Sequence, residues 1–319
     1  MNKKMMMWAC VLPLLAACQQ NENEPESVDE AVMSLQASVS SPVISRTVTD
    51  AEDASTDFET GDRIGFFMPG EDSPVEWTLG SDGWTSETPL VWENKVDEFE
   101  FCAYYPCTEE TAVRTAIPMP DLSAQKGDFS ELGTYDFLAA RRVTGYSENA
   151  GAVSFVGDDA FRHVYSLLSI TVKKDKSEEV VHISKVVLRG SGLFSKSEYH
   201  FGETSEGDGM TATGGSSVDE LAIEYAEPEE VVSETGFSFT LVCNPTELAV
   251  NPELEISYER DGIPYTASTT KLDKVFTAGV YNKYVLKLTK EGLKIVGYDV
   301  TGWNKNELPE IAVEETPVE

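Results

Sequence analysis

The chain reads as an all-β protein of two β-sandwich domains, and three observations carry that reading. Short runs of alternating apolar and polar residues recur along it, separated by clusters of Gly, Pro, Asn, Asp and Ser. That texture is the pattern of sandwiches and barrels. Helical signals are confined to short pieces near Thr108–Ala116 and Ser123–Gly133. Once a leader is removed, roughly 300 residues remain, enough for two domains of ordinary size. The expected division is a leader at 1–17, an acidic tether at 18–31, a first sandwich at 32–158 and a second at 159–319.

The first eighteen residues carry the strongest local signal. Lys3 and Lys4 precede an apolar run from Met5 to Leu15, followed by Ala16, Ala17 and Cys18. A basic start, a short apolar core and small residues before a cut make a secretory signal peptide. The run is too short to span a bilayer as a stable helix. Leu15-Ala16-Ala17-Cys18 looks like a bacterial lipobox, which predicts lipidation of Cys18 and a membrane tether through several acyl chains. Residues Gln19–Ala31 hold Glu22, Glu24, Glu26, Asp29 and Glu30 and almost nothing to bury. Such a segment cannot offset its ordering entropy and is expected to be disordered.

The first strand is the cleanest. Met33, Leu35, Ala37 and Val39 alternate with Ser34, Gln36, Ser38 and Ser40. A period of two puts the apolar set on one face. Pro42 cannot donate to a ladder, so pairing should falter there. Val43–Thr47 and an acidic loop follow. Thr60–Met68 reads as a turn feeding a strand, and further strands are expected at Trp77–Leu79 and Gly83–Thr85 around the hairpin turn Gly80-Ser81-Asp82-Gly83, and at Leu90–Trp92. Others are expected at Phe99–Pro106, Asp136–Ala140 and Ala152–Val156. A boundary is read near Gly157-Asp158-Asp159. Beyond it come Phe161–Val172, His182–Arg189, Phe237–Val242, Leu254–Tyr258, Pro264–Ser268, Tyr281–Leu288 and a strand–turn–strand from Leu286 to Val296. The Gly-, Ser- and Thr-rich stretch 202–218 is expected to be a mobile loop.

Charge and motifs narrow the function. With 56 acidic against 24 basic residues the net charge is −32. Nucleic acid and anionic lipid surfaces would be repelled. No G-x-S-x-G, H-E-x-x-H, P-loop or calcium-loop pattern occurs, so neither catalysis nor a cofactor or metal is expected. Of five cysteines, Cys10 leaves with the leader and Cys18 is the lipidation candidate. Cys102, Cys107 and Cys243 remain, an odd number whose pairing the sequence leaves open. Trp77, Trp84 and Trp92 are the candidates for sugar stacking, although tryptophans on neighbouring strands more often pack a sandwich core.

The order of motifs resembles a known family. The lipobox, the alternating strand, Ser45-Arg46-Thr47 and Phe58-Glu59-Thr60-Gly61-Asp62-Arg63-Ile64-Gly65 are similar to the opening of fimbrillin-family proteins of Bacteroidales. The likeness continues through Gly83-Trp84, Phe101–Pro106, Tyr135–Ala140, Phe161-Arg162-His163, Thr277–Tyr281 and Gly302-Trp303. The resemblance implies two sandwiches of transthyretin-like topology and a role as subunit, anchor or tip of a type V pilus on the outer membrane. It also implies a cut by an Arg-specific protease, here between Arg46 and Thr47. Met33, Leu35, Ala37 and Val39 would then leave with the first strand, and a neighbouring subunit would fill the groove by donor-strand exchange.

The C-terminal tail, Asn304–Glu319, offers one short apolar patch, Ile311-Ala312-Val313. It makes a weak donor strand unless the donor lies further upstream, around Leu293–Val300, so a tip, accessory or anchor subunit is expected rather than a main stalk. The expected partners are other pilus subunits, the protease, the outer membrane through the lipid, and a host glycan or protein. The competing reading is a stand-alone, glycan-binding surface lipoprotein.

Overall fold

Alternating and aromatic-rich runs become strands in the computed structural model, which describes residues 31–40, 57–108 and 111–302. The leader, most of the tether, Cys18, Val43–Thr47 and the tail beyond Gly302 lie outside the described residues.

The first half contributes β1 (Ser34–Ala37), β2 (Arg63–Phe67), β3 (Val75–Gly80), β4 (Gly83–Thr85), β5 (Glu98–Tyr105), β6 (Ile117–Pro118), β7 (Leu138–Gly145), β8 (Ala152–Phe155) and β9 (Arg162–His163). Six of them form one antiparallel sheet in the order β4-β3-β2-β5-β7-β9. The β3–β4 hairpin turns on Ser81-Asp82, with Gly80 opposite Gly83. β1 and β8 pair in parallel, Ser34 opposite Ala152 through Ala37 opposite Phe155.

The six-stranded sheet is covered on both faces, which explains why Phe101-Cys102-Ala103-Tyr104 is apolar throughout. Ile64, Phe66, Phe101 and Ala103 point towards β1 and β8 and join one core with Met33, Leu35, Val39, Val153 and Phe155. Phe67, Cys102 and Tyr104 point the other way and join a second core with Ile117, Leu122 and Phe137. Gly65 is required at its site, because a Cβ there would lie 2.1 Å from the Tyr104 ring.

The second half contributes β10 (Ser166–Lys174), β11 (Val181–Phe194), β12 (Ser197–His200), β13 (Gly209–Ala212), β14 (Val218–Glu230), β15 (Phe237–Cys243), β16 (Thr246–Glu247), β17 (Glu253–Arg260), β18 (Ile263–Thr269), β19 (Val275–Phe276), β20 (Val280–Thr289) and β21 (Gly292–Gly302). Two four-stranded sheets, β15-β10-β20-β21 and β14-β11-β17-β18, enclose the second core between Leu168, Ile170, Leu286 and Leu288 on one side and Val186, Leu188, Leu254 and Ile256 on the other. β6 from the first half pairs with β12 from the second. The described residues from Ala31 onward therefore form one compact unit with two cores.

Several expectations change. Residues 202–218 carry β13 and the start of β14 rather than a mobile loop. Asp208 accounts for much of this. It accepts the Gly202 amide at 2.9 Å and pairs with Arg141 Nη2 at 2.5 Å, while Arg141 Nη1 lies 2.6 Å from Glu100. No helix forms among the described residues of 108–116. Val113 bridges to Ala116 instead, and the Arg114 amide donates to the Asp72 carbonyl. The second helical piece resolves into 3-10 turns at Leu122–Ala124 and Phe129–Glu131 and the single-turn α1 (Leu132–Tyr135), the two 3-10 turns capped by Asp121 and Asp128. Leu90–Trp92 makes a bridge, Val91 to Val32, rather than a strand. Cys102, Cys107 and Cys243 are all free and buried.

Candidate functional site

β1 and the groove that receives it are the part of the molecule that the sequence singled out. Met33, Leu35 and Val39 are each 6% exposed, Ala37 is half-buried, and Ser34 and Gln36 face solvent. The period of two is thus expressed as one apolar edge pressed into the first core.

Hydrogen bonds hold the strand mainly along one side. The Ser34 amide donates to Gly151 O at 3.3 Å, Ser38 to Phe155 O at 3.0 Å and Ser40 to Phe161 O at 2.7 Å, and Phe161 donates back to Ser38 O at 3.0 Å. The Ser154 hydroxyl donates to Gln36 Oε1 at 3.1 Å. On the other side, the backbone bonds found among the described residues lie at the start of the segment, where Met33 donates to Leu90 O at 2.8 Å and Trp92 donates to Ala31 O at 2.9 Å. β8 is itself braced from behind, since Arg142 donates to Ser154 O and to Asp159, at 2.9 and 2.8 Å.

The groove is lined with aromatic residues. Phe66 stacks on Phe101 at 5.4 Å, and Phe155 meets Phe161 edge-on at 5.5 Å. Phe58 packs edge-on against Phe161 at 5.2 Å and against Tyr105 at 5.5 Å. The Tyr105 hydroxyl donates to Asp62 at 3.1 Å. Burial first, then the Asp62 charge, push its pKa above the ordinary tyrosine value, so it stays a neutral donor.

The tryptophans belong to this same packing. Trp77 and Trp92 are 3% and 5% exposed. Trp77 lies against Phe66 at 6.1 Å, while Trp92 meets Phe101 edge-on at 5.3 Å and donates its indole N–H to Gly151 O at 2.9 Å. Neither ring has an open face for a sugar, because burial in the core occupies the area that stacking needs. Trp84 is half-buried against Phe58 at 5.2 Å. Arg46 and Thr47, in the segment that follows Ser40, lie outside the described residues. Sequence reasoning located the strand but not its receptor. Phe66, Phe101 and Phe155 sit in separate runs, and only the parallel β1–β8 pairing reveals their common role. Among the described residues no group of His, Cys, Asp or Glu is arranged to hold a metal, and no helix is long and apolar enough to cross a membrane.

Comparison with known proteins gives this geometry a family. A family model described as Fimbrillin-like matches residues 46–303, which includes every described strand after β1. No curated protein matches the sequence. Among solved structures, a candidate cell adhesion protein from Bacteroides uniformis ATCC 8492 superimposes with a TM-score of 0.59 at 18% identity, covering 86% of this chain and 100% of its own. A candidate cell adhesion protein from Bacteroides ovatus ATCC 8483 reaches 0.54 at 15% identity, covering 87% and 99%. A fimbrial protein from Bacteroides vulgatus ATCC 8482 reaches 0.54 at 16% identity, covering 85% and 99%. At these identities the structures share the fold. The family match extends over most of the chain, and on it this chain belongs to the Fimbrillin-like family, as a structural, non-enzymatic protein of the fimbrial cell surface.

Proposed function

We propose that this fimbrial protein is an outer-membrane-anchored pilus subunit whose first strand is a removable plug. Cleavage after Arg46 by an Arg-specific protease would free β1, and a strand from a neighbouring subunit would take its place. The observation that carries this reading is the way β1 is held. It is bonded along one side by residues 151–161 and, among the described residues, near its start on the other, and its apolar edge fills an aromatic groove.

The energetics suit a plug. Burying Met33, Leu35 and Val39 contributes roughly 1.5–3 kcal/mol each. Ordering each residue of the strand costs roughly 1–2 kcal/mol. The two are of similar size, so the covalent link through residues 41–56 is what keeps β1 resident at high effective concentration. Cutting that link would let the strand leave. An empty groove then exposes unpaired backbone and apolar pockets, which an incoming strand satisfies. The exchange is head-to-tail and would build an open fibre.

Lipidation at Cys18 would place the protein on the outer membrane, and the sandwiches would have the transthyretin-like topology of the resemblance. Within the pilus, a tip, accessory or anchor position is the proposed place for this subunit rather than the stalk.

Limited digestion of the soluble mature chain with an Arg-specific protease, read by intact mass and native sizing, tests this. A single cut after Arg46 with loss of the 19–46 peptide is the expected result. Monomers after the cut fit a tip or accessory subunit, and heat-labile ladders fit a stalk. Resistance at Arg46, or a cut that leaves the peptide bound through gel filtration, would refute the plug.

A further inference from the structure

A second candidate site lies in the other half of the molecule, on β14. This strand is the edge of its sheet and pairs only with β11. Its register breaks between Glu224, opposite Lys185, and Glu229, opposite Ile183. Ser184 alone therefore spans the four residues Tyr225–Pro228. Extra residues on an edge strand bend it outward and re-aim its side chains. Pro228 has no N–H to return to a ladder.

Across from the bulge runs a strap, residues 125–131. It is fixed to β15, the edge of the opposite sheet, where Thr240 donates to Gly127 O and Val242 donates to Gln125 Oε1, both at 2.9 Å. Between bulge, strap and β15 lies a cleft of about 720 Å³. That size falls in the range of ligand pockets.

Phe129, Tyr225 and Phe237 form its part-buried aromatic walls, with Tyr225 edge-on to Phe237 at 5.5 Å. The Tyr225 hydroxyl has no hydrogen-bond partner among the described residues. Burial, then the charge of Glu229, raise its pKa and keep it neutral. Most carboxylates here are engaged. Asp128 caps Ser130, Glu131 lies 3.5 Å from Lys126, and Glu224 pairs with Lys185. Glu227 and Glu229 line the cleft with no ion-pair partner among the described residues.

We propose that this cleft docks a lysine- or arginine-bearing extended segment of a partner protein, with the cationic side chain between the aromatic walls and Glu227 and Glu229. Aromatic faces attract cations through their quadrupole. A long aliphatic stem covers the ring area while its charged head reaches the carboxylates. The chain's net charge of −32 steers such a partner inward, and the unpaired bulge offers backbone groups to an extended peptide. The site is remote in sequence from β1, and its occupation does not depend on strand exchange.

The test titrates the full mature chain with a labelled peptide of alternating lysine and alanine, at about 0.15 M salt to screen long-range attraction. The same peptide with glutamate for lysine is the control. One-to-one binding of the lysine peptide alone is expected. Affinity should fall about tenfold in Tyr225→Ala and again in the doubly substituted E227Q/E229Q, each loss about 1.4 kcal/mol. E203Q/E206Q removes the same charge from a distant exposed loop and should leave affinity within about twofold. The glutamine variants alter exposed, unpaired carboxylates, so they keep the fold even if Tyr225→Ala does not. Absence of binding, equal losses in both double variants, or retention of neutral oligosaccharides with no response to the lysine peptide would each overturn the proposal.

Discussion

Leu35→Ala offers a direct reading of how β1 is held. Leu35 is 6% exposed, sits opposite Val153 and packs in the first core. Truncating a buried leucine costs 2–5 kcal/mol, depending on how far the site collapses. β1 lies at the rim of its core with little bonding on its outer side, so relaxation is easy and about 2–3 kcal/mol is expected. That is about 30- to 150-fold in the opening equilibrium of the strand. Hydrogen exchange reads it locally. The amides of Ser38 and Ser40, bonded to Phe155 and Phe161, should exchange faster by that factor. Amides of β10, whose apolar residues sit in the second core, should be unchanged. Equal acceleration in β10 would mean that β1 opens only with the whole molecule, and unchanged Ser38 and Ser40 would mean that Leu35 does not hold the strand. Either result would refute the plug energetics.

Three further outcomes follow from the packing. Gly65→Ala should lower stability by about 2–3 kcal/mol in denaturant unfolding, because its Cβ would fall 2.1 Å from a buried tyrosine ring that has nowhere to move; a loss under about 1 kcal/mol would show that Tyr104 can shift. The Cys102 and Cys243 thiols are pushed up to about 12, in each case chiefly by burial, so a thiol reagent at pH 8 should label neither until the protein is unfolded, and rapid native labelling would contradict the closed core. Arg141→Met should destabilise by about 2–3 kcal/mol, since it leaves Asp208 without its ion-pair partner and Glu100 with Arg114 alone. It should also alter the acid limb of stability. Burial pushes the Glu100 pKa up, but the hydrogen bonds and charges of Arg141 and Arg114 outweigh this and hold it below its ordinary 4.5. A depressed folded value gives stability that is present above 4.5 and lost as pH falls through the folded value. The variant should lose less on acidification, and an acid limb as steep as that of the parent would count against the pairing.

The β class and the first strand were legible because both rest on local chemistry. Met33 to Val39 alternate without a fault, and a period of two has one geometric meaning. The β3–β4 turn was equally local, with Gly80 and Gly83 flanking two polar residues. β14 escaped because Glu224, Glu227, Glu229 and Glu230 hide the strand pattern, and Pro228 argues against one. Residues 202–218 looked mobile from composition, yet Asp208 reaches Arg141, a residue whose side chain the local sequence does not bring near. The tryptophans were ambiguous for the same reason, since the burial of Trp92 depends on Phe101 and on a carbonyl at Gly151.

What the sequence by itself determined is what short-range rules control: strand periodicity, turn residues and an acidic surface. What only the tertiary structure decided is which surfaces meet. The parallel pairing of β1 with β8 joins residues separated by most of the first half, and no local signal encodes a long-range parallel partner. The same holds for the cleft beside β14, where strap, bulge and β15 converge from three separate segments. Long-range contacts are selected by the total burial they permit, and that quantity exists only once the chain is folded.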